Sequence, residues 1–69
     1  MDVPRYNLDT EISDIKIGIT TEKVARILGP PRHVNRTVSR SGVHEQWCYS
    51  NYRYCYFEDG ILTSFENIR

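Results

Sequence analysis

The stretch SGVHEQWCYSNYRYCYFEDG, residues 41–60, decides the fold. It is bounded by two hairpin signals, Ser41-Gly42 and Asp59-Gly60, and Asp-Gly is among the strongest short-range turn signals because both central positions of the tight turn need positive φ. Asn51-Tyr52 in its middle is a weaker third. Turns centred on these pairs predict four antiparallel strands, at 33–40, 43–50, 53–58 and 61–66. The register that follows opposes Val38 to Glu45, Tyr49 to Tyr54, Trp47 to Tyr56, Tyr54 to Phe65 and Phe57 to Leu62. Side chains alternate between the faces of a strand. One face is then expected to hold Val34, Val38, Val43, Trp47, Tyr49, Tyr54, Tyr56, Ile61 and Phe65. The other is expected to hold Asn35, Thr37, Ser39, His44, Gln46, Cys48, Arg53, Cys55, Phe57, Leu62, Ser64 and Glu66. The first reads as a core face and the second as mostly polar.

Upstream of the meander lies GITTEKVARILGPP, residues 18–31. Gly18 breaks what precedes it. Thr20 reads as an N-cap, with Glu22 in the positively polarised first turn. Val24, Ile27 and Leu28 form one apolar stripe, Gly29 suits a left-handed C-cap, and Pro30 and Pro31 forbid continuation. A helix of two turns is marginal alone, so it must dock on something, and the aromatic face of the sheet is the expected place. Before it, Leu8, Ile12, Ile15 and Ile19 recur at helical spacing behind Asp9 as an N-cap, predicting a first short helix from about Thr10 to Lys16. The alternation Ile15, Ile17, Ile19 also permits an extended exit. Residues 1–8 read as an irregular lead-in. The expected fold class is therefore α+β: two short N-terminal helices packed on one face of a three- to four-stranded antiparallel β-meander, in a single domain spanning 1–69.

The totals bound the function. At 69 residues the chain is one domain with a small core. Nine basic residues balance nine acidic ones, which argues against a dedicated nucleic-acid partner and against electrostatic membrane binding, and leaves little repulsion against self-association. No apolar run approaches the roughly 20 residues that cross a bilayer. No apolar run of signal-peptide type follows Met1–Arg5, so the chain as given reads as cytoplasmic, or as periplasmic or outer-membrane-associated if a leader has been removed.

IKIGITTEKVARILGPP, residues 15–31, resembles the signature of the SmpA/OmlA domain family, also called BamE-like. The matching positions are Ile17, Gly18, Ile19, Thr20, Val24, Leu28, Gly29 and Pro31, followed downstream by Trp47-Cys48-Tyr49 and by Tyr56-Phe57-Glu58-Asp59-Gly60-Ile61-Leu62. The resemblance spans about residues 8–67. It implies two short helices on an antiparallel sheet and a non-enzymatic interaction module. Several family members are outer-membrane lipoproteins that help assemble β-barrel proteins, and β-lactamase inhibitory proteins have a similar fold. The lipobox Cys of the lipoprotein members has no counterpart near the N-terminus of this sequence.

Four groups of residues bear on function. Val24, Ile27, Leu28, Trp47, Tyr49, Tyr54, Tyr56 and Phe65 are expected to organise the core. Whatever part of the aromatic face two short helices leave open is a surface for a partner or for a second copy. Arg32, Arg36 and Arg40 recur every four residues in a run without acids from Gly29 to His44, which suits either an anion patch or a guarded sheet edge. Arg36 and Arg40, with Phe57 and Leu62 as an apolar pair on the opposite face, are the expected partner contacts. His44, Cys48 and Cys55, expected on one face with His33 at the same parity, form an alternative metal-binding set, although Cys-x6-Cys is not zinc-finger spacing. A strained cross-strand disulfide between Cys48 and Cys55 competes with two small half-buried thiols. No phosphate loop, metalloprotease helix or nucleophile elbow is present. The expectation is a protein that binds another protein, catalyses nothing and needs no cofactor; the alternative is a small metal- or ligand-binding sensor using the Cys/His face.

Overall fold

The computed structural model describes residues 12–68. The Asp-Gly signal, the β-branched and aromatic runs and the capped helix all become elements. Helix α1 spans Thr21–Leu28 and strands β1–β4 span His33–Ser39, Gly42–Tyr49, Arg53–Glu58 and Ile61–Glu66. The strands form one antiparallel sheet in the order β1-β2-β3-β4.

α1 is built as its sequence dictates. The Thr20 side chain accepts the Lys23 N–H at 3.2 Å, and the chain leaves through Gly29 at φ 83°, whose N–H donates to Ala25 O. Val24 is fully buried, and Ile27 and Leu28 pack against the core.

The two-helix expectation is corrected. Of the predicted first helix, the part within the described residues is one 3₁₀ turn, Ile12–Asp14; Leu8, Asp9, Thr10 and Glu11 lie outside them, as do residues 1–8 of the lead-in. The described residues form a mostly-β domain with one short helix. Neither the helical spacing nor the alternation of Ile15, Ile17 and Ile19 holds past this turn. Ile17 and Gly18 form a second turn, with Ile19 N–H on Lys16 O at 3.3 Å and Ile17 60% exposed, and the backbone from Gly18 onward then finds partners on the sheet. Gly18 N–H donates to Leu62 O and Leu62 N–H donates to Ile19 O, both at 2.8 Å, and Thr21 N–H donates to Gly60 O at 3.1 Å. Thr20 bridges Ile61. The segment runs along the outer edge of β4 before entering α1.

The register also differs from expectation. Between β2 and β3 the pairs are Trp47↔Cys55, Cys48↔Tyr54 and Tyr49↔Arg53. The connection is the three residues Ser50–Tyr52, with Asn51 at φ 63° and Tyr52 at φ 60°, not a two-residue turn. One extra residue exchanges the faces of β3. Cys55 and Phe57 therefore point to the helix, while Tyr54 and Tyr56 point away. A bulge then rephases β4: Tyr56 pairs with Ser64 but Phe57 pairs with Leu62, and the extra Thr63 gives its hydroxyl to Tyr56 O. Phe65 consequently pairs with Cys55 rather than Tyr54. Between β1 and β2, Val38 opposes Val43 rather than Glu45, a slip of two residues that leaves faces unchanged.

The core is Ile15, Val24, Cys55, Phe57, Leu62 and Ile68, with Ile19, Ile27, Leu28, Trp47 and Tyr49 packed against it. It lies between α1 and β3–β4. Trp47 stacks obliquely on Phe57, with ring centroids 4.6 Å apart. The Tyr49 hydroxyl donates to Gly29 O at 2.8 Å and ties β2 to the end of the helix.

Candidate functional site

The helix-covered face and the opposite face divide the candidate residues in a new way. Phe57 and Leu62 are core residues, exposed by 1% and 0%, so they are not partner contacts; the rephased register turned them inward. Tyr54 and Tyr56, expected in the core, lie on the opposite face with their rings 6.5 Å apart. Phe65 is on the helix side but partly exposed. Cys55 is buried on the helix side and Cys48 faces away, so the set His44, Cys48 and Cys55 does not converge. Both thiols are free. Among the described residues no group of three His, Cys, Asp or Glu side chains is placed to hold a metal ion.

The opposite face carries a polar row. His33 Nε2 lies 3.0 Å from Asn35 Oδ1, the Asn35 amide donates to Gln46 Oε1 at 3.0 Å, and Gln46 donates to the Tyr56 hydroxyl at 3.5 Å. His44 contacts the Ser41 hydroxyl and pairs with Glu58 at 3.8 Å. An open groove of about 250 Å³ runs over Thr37, Gln46 and Tyr56. Its amides and hydroxyls mostly satisfy one another.

The helix-side face of β1 and β2 is different. An eight-residue helix is about 12 Å long, whereas four strands span about 15 Å across. α1 sits over β3 and β4, and the β1–β2 hairpin extends past it. Val34 is 41% and Val38 65% exposed, beside half-buried Val43 and Trp47. Between them Arg36 Nε meets Glu45 Oε2 at 3.3 Å, and the other Glu45 oxygen accepts the Trp47 indole N–H at 2.8 Å. Arg40 lies in the exposed turn after β1. Every residue of β1 is exposed, and among the described residues no strand pairs with its outer edge.

Near the other end of β2, burial pushes the Cys55 thiol up to about 11 against a downward pull from Arg53. Burial, reinforced by Cys55, pushes the Tyr49 hydroxyl up to about 12, again opposed by Arg53. The Arg53 Nε is buried without a hydrogen-bond partner.

The expected core face included Val34 and Val38; that short helices could leave part of this face open was read from the sequence, but not that the open part lies on β1. The available signal was the length of the helix, too short to reach the first strand. No helix among the described residues is long and apolar enough to cross a membrane. No family model, no curated protein and no solved structure matches the chain.

Proposed function

We propose that the domain is a non-enzymatic protein-interaction module that receives its partner on the β1–β2 hairpin. The observation that carries this reading is the apolar flank formed by Val34 and Val38 beside Trp47, left open by the helix and bounded by a strand edge that no other described strand pairs with. Contiguous exposed apolar surface next to an unpaired edge marks a contact surface in a small domain. The residue chemistry supports the same class. Cys55, held neutral to about pH 11 and fully buried, is a poor nucleophile. His33 and His44 are occupied by Asn35 and by Glu58 and Ser41. The resemblance of Gly18-Ile19-Thr20, of Leu28-Gly29 with Pro31, and of Trp47-Cys48-Tyr49 to the SmpA/OmlA family favours an accessory role in envelope assembly or an inhibitor-like role.

The test is recovery of partners from soluble and membrane fractions of the native host, using the tagged chain and its Val34→Lys/Val38→Lys variant. The expected result is a discrete protein recovered by the wild type, lost with the variant and kept by Tyr54→Ser on the opposite face. A barrel-assembly component in membranes identifies the envelope role; a single soluble enzyme identifies the inhibitor role. Retention by the double-lysine variant, or no recovery by any form, overturns the proposal.

A further inference from the structure

We infer that the outer edge of β1 takes up an extended segment of another protein as an added strand, and that this segment alternates acidic and apolar residues. The inference rests on the interaction-module reading and names the chemistry of its partner.

The free backbone groups of this edge can be identified. Val43 N–H donates to Asp59 Oδ1 at 2.9 Å, and Val43 O accepts the Asp59 N–H at 2.7 Å. Val43 thus turns its main chain toward the β3 side of β2. Backbone direction alternates along a strand, so Gly42, His44, Gln46 and Cys48 turn toward β1, and Cys48 O indeed accepts the Arg32 N–H at 2.9 Å. Their partners in register are Ser39, Thr37, Asn35 and His33. Val34, Arg36 and Val38 are left with N–H and C=O directed outward. Three consecutive outward residues form a docking ladder of the kind that strand addition uses.

The two edges of the sheet are unequal. The start of β4 is covered by the chain itself, through Gly18, Ile19 and Thr21. The edge of β1 has no such cover among the described residues.

The side chains define the occupant. Every second position reads Arg32, Val34, Arg36, Val38, Arg40, and no acid occurs from Gly29 to His44. Glu45 answers Arg36 from β2; Arg32 and Arg40 have no ion pair among the described residues. A strand laid alongside β1 meets Val34, Arg36 and Val38 on one face, with Arg32 and Arg40 flanking them just beyond the two ends of the strand. Directly opposed unlike charges and apolar pairs stabilise a sheet, and opposed like charges destabilise it. The matching segment carries carboxylates at alternate positions with apolar residues between them. A second copy fits poorly: two-fold antiparallel pairing of β1 with itself sets Arg36 against Arg36, or slips it onto Val38, and brings in further arginines without one carboxylate.

The experiment titrates ¹⁵N-labelled full chain with the capped peptide Glu-Thr-Val-Thr-Glu-Thr-Val-Thr-Glu, whose pattern reads alike in both directions. Saturable shifts are expected at the amides of Val34, Arg36 and Val38, with their hydrogen exchange slowed. The peptide with Lys in place of Glu should bind about tenfold more weakly. Val38→Pro removes one outward N–H at an edge position where Pro is tolerated, and should weaken binding about tenfold while leaving the Trp47 fluorescence unchanged. Absence of saturable shifts at these amides, equal binding of the Lys peptide, or shifts confined to Tyr54 and Tyr56 overturns strand addition. So does a dimer in sedimentation with β1 protected in the absence of peptide. If the peptide fails while the double-lysine variant still loses its host partner, strand addition falls and the interaction reading stands.

Discussion

At the scale of single residues, two protons are held by burial. Cys55 and Tyr49 keep theirs to about pH 11 and about pH 12, well above their ordinary values, because the ionised forms would lie in the low-dielectric ground between α1 and β3. In the unfolded chain a thiol ionises near pH 8.5 and a phenol near pH 10. Between those values and the raised ones the unfolded state has lost protons that the folded state retains, so stability falls as pH rises. The stabilising contribution is complete below about pH 8.5 and gone above about pH 12. Tyr49 adds a structural reason, since a phenolate cannot donate to Gly29 O. The thermal midpoint should fall across this alkaline window, and Cys55→Ala and Tyr49→Phe should each flatten their part of the fall. A midpoint with the same alkaline slope in both variants would remove the assignment. The same burial predicts thiol selectivity: a soluble alkylating reagent at pH 8 should label half-exposed Cys48 promptly and Cys55 only when the domain unfolds.

At the scale of elements, turns decide which residues become core. α1 was legible to its caps because Thr20, the stripe Val24-Ile27-Leu28 and Gly29 each obey a local rule. The Asp59-Gly60 hairpin was legible for the same reason, and it pairs Glu58 with Ile61 and Phe57 with Leu62. The β2–β3 connection was not. Asn51 signals a turn, but Tyr52 at φ 60° is a bulky residue in a conformation that sequence preference does not assign to it. Reading a two-residue loop where three residues stand moved every side chain of β3 to the wrong face, whereas the two-residue slip between β1 and β2 did no such damage. The aromatic count made the wrong face attractive, since Tyr54 and Tyr56 looked more like core than Cys55. Truncation separates the two registers. Phe57→Ala should cost about 3–5 kcal/mol in chemical unfolding, and Tyr56→Ala about 1 kcal/mol. The reverse order would restore the other face. Relief of the turn is testable too: Tyr52, 78% exposed, gains nothing from its ring, so Tyr52→Gly should stabilise the domain by about 1 kcal/mol.

At the scale of the whole molecule, stability and the candidate contact surface sit at opposite ends of one sheet. The fully buried side chains Val24, Cys55, Phe57 and Leu62 lie on α1, β3 and β4, while β1 has every residue exposed and, among the described residues, one neighbouring strand. The run Arg32-Arg36-Arg40 was legible as an unusual acid-free tract. Its place on a sheet edge was legible too; how much of the adjoining apolar face stays open was not, because that depends on how far the helix reaches. A segment with few buried contacts opens at low free energy, independently of the core. Amide exchange should therefore be graded. Cys55 and Phe57, in a central strand over the core, should exchange only through global unfolding, with a denaturant dependence equal to that of the whole domain. His33, Asn35, Thr37 and Ser39, bonded to β2 alone, should exchange through a smaller opening with a shallower denaturant dependence. Val34, Arg36 and Val38 should exchange as unprotected amides. Equal protection across β1 and β3 would mean that the sheet opens as one unit. The uneven pattern would mean that a core of this size holds three strands firmly and presents the fourth.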